Sequence, residues 1–253
     1  MEEHKQTFPS EEVTLPSKGL LYPKDHPLAK GTCEIKYMTA REEDILTNQN
    51  LIKNGTVIDK LLKSLIVTKF NYDDLLIGDK NAILVAARIL GYGNEYTFKY
   101  LEQEVTVDLG EIKDKELDES LIINKDNPNE FEFTLPYAKK TITFKFLTHG
   151  DDEKVLNEIK GLEKISKLTN VASTTRWKYI ITSVDGDYTK KTVRDFVEQN
   201  FLARDSRALR TYINSIQPDI DLKVDLTLQD GSLQEGVSLP IGVNFFWPDA
   251  DIS

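Results

Sequence analysis

Apolar and polar positions change period several times along this chain, and each change predicts an element. Val13 to Leu15 and Thr32 to Met38 alternate in part, with Pro9, Pro16, Pro23 and Pro27 punctuating the region, so two short strands flank a turn-rich excursion. Thr39 followed by Glu42 is a capping box, which predicts a helix running to about Asn48. Val57, Ile58, Leu61, Leu62, Leu65 and Ile66 then recur at helical spacing, as a core helix does behind an Asn54-Gly55 turn with Thr56 as its cap. Asp79 stands where an N-cap belongs before Ala82, Ile83, Leu84, Ala86, Ala87, Ile89 and Leu90, and Gly91 is the expected left-handed stop. Being apolar nearly all round, this helix is predicted to lie centrally.

Strict alternation returns at Tyr96, Phe98 and Tyr100 and at Val105 and Val107, which predicts a hairpin closed around Leu101 to Glu104. Residues 113–129 are charged and poor in aromatics and read as a linker. The pattern then repeats. Phe131, Phe133 and Leu135 predict one strand and Ile142, Phe144 and Phe146 its partner; helices follow near 151–168, 173–183, 190–200 and 205–216. Pro218 ends the last of these, and Leu222, Val224, Leu226 and Leu228 pair with Val237, Leu239 and Ile241 around Asp230-Gly231.

The repetition extends to short motifs. Thr14-Leu15-Pro16 is echoed by Thr134-Leu135-Pro136, Met38-Thr39 with its acidic run by Leu147-Thr148 with Asp151-Asp152-Glu153, and Asp79 with its helix by Asp205. The expected fold class is therefore α+β, with two tandem pseudo-repeated lobes, each holding short strands, a helical cluster and a β-hairpin. The lobes are expected over 1–112 and 130–253. Such duplication favours a scaffold or adaptor, because a single active site breaks the symmetry.

Composition narrows the classes. The 253 residues, 40% hydrophobic, suffice for a substantial core. A formal charge of −10 argues against a nucleic-acid-binding face, which needs clustered Lys and Arg. The single cysteine, Cys33, excludes an internal disulfide and a multi-cysteine metal site, and reads as a small apolar strand residue. The charged start, Met1-Glu2-Glu3-His4-Lys5, lacks the apolar core of a signal peptide, and no run approaches the length of a membrane span. A reducing cytoplasm, or a particle assembled there, is the expected setting.

Candidate chemistry is sparse. His149 lies among Asp151, Asp152 and Glu153, but successive helical residues point apart, and carboxylates in a first turn ordinarily complement the helix dipole. A metal-dependent hydrolase built on His149 and Asp151 is the enzymatic alternative, and a general protein-binding regulatory module is another; no catalytic, cofactor or metal residue is assigned. Gly91-Tyr92-Gly93 lacks phosphate-loop spacing, and Asp185-Gly186-Asp187 lacks the further ligands of a calcium loop. Large apolar groups crowd the C-terminus at Phe245, Phe246 and Trp247. Two explanations compete for them: burial in the second lobe with a partly exposed ring, or docking on a neighbouring subunit. Together with Tyr22 in the proline-rich excursion, they are the expected protein-interaction residues.

Several motifs also resemble a known family. They are Leu15-Pro16-Ser17-Lys18-Gly19 leading to Leu21-Tyr22-Pro23, Met38-Thr39 before Glu42-Glu43-Asp44, Asp74-Leu75-Leu76-Ile77-Gly78-Asp79 and Gly91-Tyr92-Gly93 in the first half. The second half adds Ser183-Val184-Asp185-Gly186, Asp205-Ser206-Arg207-Ala208-Leu209-Arg210, Pro218-Asp219-Ile220-Asp221-Leu222 and Phe245-Phe246-Trp247-Pro248. Covering nearly the whole chain, these resemble the baseplate hub assembly proteins of T4-type contractile-tailed bacteriophages. The resemblance implies a non-enzymatic role in building the central hub, as structural subunit or assembly factor. It implies other tail or hub proteins as partners, oligomers among the allowed states, no nucleic acid or membrane, and a place in the virion baseplate or the host cytoplasm during assembly. It further implies Cys-x-x-Cys pairs, as in zinc ribbons, in the turns of both hairpins. Here Leu101-Glu102-Gln103-Glu104 and Gln229-Asp230-Gly231-Ser232 stand at those places, so neither zinc nor any other cofactor is expected.

Overall fold

The computed structural model describes residues 9–122, 124, 126–165 and 171–246. In the first half, β1 (Ser10–Thr14) pairs antiparallel with β2 (Thr32–Lys36), joining Val13 to Cys33 and Thr14 to Thr32. Helices α1 (Ala40–Leu46), α2 (Gln49–Asn54), α3 (Val57–Leu65) and α4 (Ile77–Tyr92) follow, and β3 (Glu95–Tyr100) closes on β4 (Gln103–Asp108). The second half opens with β6 (Phe131–Thr134) and β7 (Thr141–Phe144), continues through α5 (His149–Ile165), α6 (Ala172–Ile180), β8 (Ile181–Val184), α7 (Lys190–Gln199) and α8 (Ala203–Ile216), and ends with the hairpin β10 (Lys223–Thr227) and β11 (Leu233–Ser238) and the short α9 (Val243–Phe246). Between them, β5 (Asp114–Lys115) pairs with β9 (Asp219–Ile220). The fold is α+β, with its strands in small separate sheets.

Most local expectations hold, because the signals were short-range. The capping box forms: Glu42 accepts from the Thr39 amide at 3.0 Å and from its hydroxyl at 2.6 Å. Gly55 ends α2 with φ +70°, although Thr56 begins α3 without a side-chain cap bond, and α2 itself had no separate signal. The first hairpin turns on Leu101 and Glu102, both at positive φ, as a two-residue turn requires.

Several expectations need correction, each for a tertiary reason. Asp79 is not the N-cap of α4: the helix starts at Ile77 behind an extended Leu76, whose amide donates to the Tyr22 hydroxyl at 3.1 Å. Gly91 is not the helix stop. It stays inside α4, where any Cβ would strike Met38, and the positive φ falls at Gly93. The helix expected over 173–183 ends at Ile180, because Ile181, Ser183 and Val184 are buried and β8 joins β7 through Thr143 and Ser183. The end of the helix expected to reach 168 lies outside the described residues. Residues 113–129 carry β5 and bury Leu117, so this stretch also packs.

The two halves repeat their internal fastenings. Leu15 and Leu135, each before a proline, have no exposure, and the loops that follow place Lys18 and Lys139 at positive φ. Each loop hangs on the third residue of a later helix. The Ser17 amide and hydroxyl donate to Asp79, while the Tyr137 and Ala138 amides donate to Asp205 at 2.8 and 2.9 Å. Both aspartates are fully buried. Both helices begin behind an extended leucine, Leu76 or Leu202.

The halves also interlock. Ile77 donates its amide to the Leu147 carbonyl at 3.2 Å and His149 donates to that of Leu75 at 2.7 Å. A Cβ on Gly78 would fall on the Pro218 carbonyl oxygen, so α4 and the segment entering β9 meet backbone to backbone. One apolar core runs through both halves, from Leu15 and Leu61 to Phe144 and Phe246.

Candidate functional site

Among the described residues, a group of ionisable side chains sits where the halves meet. α3 supplies Asp59 from its first turn; α4 supplies Lys80; the 3-10 turn at Tyr72–Asp74 supplies Tyr72; α5 supplies His149 and, one turn on, Glu153. Lys80 Nζ lies 2.5 Å from Asp59 Oδ1, and the Tyr72 hydroxyl donates to the same oxygen at 3.0 Å. His149 Nδ1 is 3.4 Å from Lys80 Nζ and 3.8 Å from Asp59 Oδ1, with its ring edge-on to Tyr72 at 4.6 Å. The ligand atoms of Asp59, His149 and Glu153 fall within 4.8 Å of one another.

Burial lowers the His149 pKa below the ordinary histidine value; Asp59 opposes this and Lys80 adds to it, so the ring is neutral near pH 7. Burial first, and then Asp59, push the Tyr72 phenol well above its usual range, which leaves it a donor. The donor set has the chemical types of a metal site, but the Lys80 ammonium already sits against the carboxylate that such an ion would use. As built, the arrangement clamps α3, α4 and α5 through charge-assisted bonds.

The pairing of His149 with Asp151 on which the enzymatic alternative rests is not formed. Asp151 turns to Lys145, whose ammonium donates at 2.6 Å, and to the Thr148 amide at 3.4 Å. Glu42 does the same work in the first half, taking Lys36 at 2.8 Å and Thr39, with Ser64 as an extra donor at 2.8 Å. Burial alone would raise the Glu42 carboxyl, but the donors Lys36, Thr39 and Ser64 outweigh it and pull its pKa down to about 2.

Of the residues expected at a partner surface, Tyr22, Phe245 and Phe246 lie inside. Tyr22 is 5% exposed, stacked on His26 at 4.8 Å, and donates its hydroxyl to Asp79 at 2.7 Å. Phe245 and Phe246 have no exposure. Phe245 packs on the first half, meeting Tyr96 edge-on at 4.9 Å, and the Tyr96 hydroxyl donates to the Pro240 carbonyl at 2.8 Å; Phe246 lies edge-on to Phe245 at 5.3 Å. Trp247 lies outside the described residues. Cys33 is buried in β2, and burial pushes its thiol up to about 11, which suits packing and not nucleophilic attack. The two turns where the resemblance implies cysteine pairs do come together, with the Gln229 amide donating to Gln103 Oε1 at 3.1 Å.

The sequence marks Glu42 as a capping residue and Asp205 as the counterpart of Asp79, and it assigns no role to Arg88, whose one signal is a charge inside an apolar helix. Among the described residues no helix is long and apolar enough to cross a membrane. Compared with protein-family models, with curated proteins and with solved structures, the chain has no match.

Proposed function

We propose that this chain is a non-enzymatic phage tail protein that acts in assembly of the baseplate central hub, as a structural subunit or an assembly factor. The phage assignment rests on the ordered motifs of the sequence that resemble that family. The observation that supports a scaffold over an enzyme is the duplicated use of its polar groups. Lys36, Thr39 and Glu42 match Lys145, Thr148 and Asp151, and Asp79 matches Asp205. Residue types that elsewhere do chemistry are committed here to capping helices and hanging loops.

Such a protein works by holding neighbours in a competent arrangement, and its acidic balance disfavours wrong partners. Capture of the tagged full-length chain from infected cells during tail assembly, followed by mass spectrometry, tests the reading. Recovery of tail or hub proteins is expected, and their absence would overturn it. Mass spectrometry of purified virions then separates a resident subunit from a factor that leaves.

A further inference from the structure

The hairpins β3–β4 and β10–β11 lie side by side without pairing. β4 and β10 are both edge strands, and their residues line one open slot of about 620 Å³. The slot is fastened at both ends. At the turns, the Gln229 amide donates to Gln103; at the base, the Asp221 amide donates to the Lys113 carbonyl at 2.9 Å beside the β5–β9 pair. The β10–β11 ladder carries a bulge in β11, where Glu235 and Gly236 stand opposite Asp225 and the Gly236 amide donates to Asp225 at 2.8 Å, so β10 itself stays extended along the slot.

The backbone of β4 is ready for another strand. With a two-residue turn, Tyr100 and Gln103 form a hydrogen-bonded pair, so Glu104, Thr106 and Asp108 direct their amides and carbonyls away from β3. The side-chain pattern specifies what fits. Val105 and Leu226 point inward, whereas Glu104, Thr106, Asp108 and Asp225 are exposed. Among the lining residues Glu104, Asp108, Glu111, Asp221 and Asp225 outnumber Lys113 and Lys223.

We propose that the slot between β4 and β10 is a strand-insertion site that takes an extended segment of a partner protein, alternating apolar with basic residues. Apolar side chains of the segment would fall beside the inward-facing Val105 and Leu226, basic ones would meet the outer carboxylates, and main-chain bonds would join the two hairpins into one sheet. Edges of this length accept about five or six residues. The anionic groove disfavours a second copy of this acidic chain as occupant. The proposal stands whether or not the chain belongs to a phage tail.

The test uses the full chain and a capped peptide of Lys-Val repeats, with a Glu-Val peptide as control. The Lys-Val peptide is expected to bind, measured by fluorescence anisotropy, and to protect the Glu104, Thr106 and Asp108 amides from hydrogen exchange. Thr106→Pro removes an outward amide and the 2.8 Å hydroxyl contact with Thr97 without breaking the main-chain β3 ladder, and should weaken binding about tenfold or more in a chain that still unfolds cooperatively. Should that variant fail to fold, the exposed pair E104K/E111K gives the same readout. Equal binding of the Glu-Val peptide, undiminished binding by the variant, protection elsewhere, or self-association through this edge would each overturn the proposal.

Discussion

Arg88 Nε donates to the carbonyl oxygen of Phe245, 2.7 Å away across 157 residues of sequence. The same guanidinium donates to the carbonyls of Gly93 at 2.9 Å and Glu95 at 3.0 Å, so one buried cation ties the end of α4, the start of β3 and α9 together. Burial lowers its pKa, because the guanidinium gives up hydration there. Arg88→Met should cost about 2–4 kcal/mol, because the buried Phe245 carbonyl and the partly buried bonds to Gly93 and Glu95 lose their shared donor. Urea unfolding measures this, and a loss below about 1 kcal/mol would contradict it. Phe245→Ala should cost about 3–5 kcal/mol by the cavity it leaves.

The two buried aspartates predict a matched pair of losses. Asp79→Ala orphans the Ser17 amide and the Ser17 and Tyr22 hydroxyls, and Asp205→Ala orphans the Tyr137 and Ala138 amides. Each should cost about 2–4 kcal/mol in thermal unfolding. If the exposed Asp118→Ala proved as damaging as either, the assignment of these two as fastenings would be wrong.

Acid should loosen the first half through Glu42. Its folded pKa, about 2, lies below that of the unfolded chain. An acid depressed in this way contributes stability above the unfolded value, near 4.3, and that contribution is lost as pH falls toward 2. Glu42→Gln should therefore lower stability at pH 7 by on the order of 2–3 kcal/mol and flatten the dependence between about pH 4 and 2. Melts across that range check both effects.

The junction should respond to milder acid. His149 is a base whose folded pKa is lowered, so the unfolded chain binds its proton first, and stability falls as pH drops below the ordinary histidine value. His26, also lowered by burial, behaves likewise. His149→Phe should keep the edge contact with Tyr72 and remove part of the decline below about pH 6.5, and His26→Phe should remove a further part. An unaltered profile in H149F would exclude His149 as a titrating group.

Two glycines should answer oppositely. Gly78→Ala forces α4 from the Pro218 carbonyl and should cost about 2–3 kcal/mol. Gly161→Ala, in α5 with open space around it, should stabilise by about 0.5–1 kcal/mol. Paired thermal melts decide it.

By itself the sequence determined most of the longer elements, the repeated motifs and the α+β class, because strand alternation, helical spacing, the Thr39 capping box and the hairpin turns are governed by neighbours within a few residues. It also located Asp79 and Asp205 at matching points without revealing their task. Only the tertiary structure decided that β8 is a strand, that Asp79 reaches back to Ser17 and Tyr22 instead of capping its own helix, that His149 faces Asp59 and not Asp151, and that Phe245 belongs to Arg88 and Tyr96. Those choices depend on which distant segment supplies a donor or covers an apolar ring, and burial makes an unanswered polar group cost more than any local preference returns.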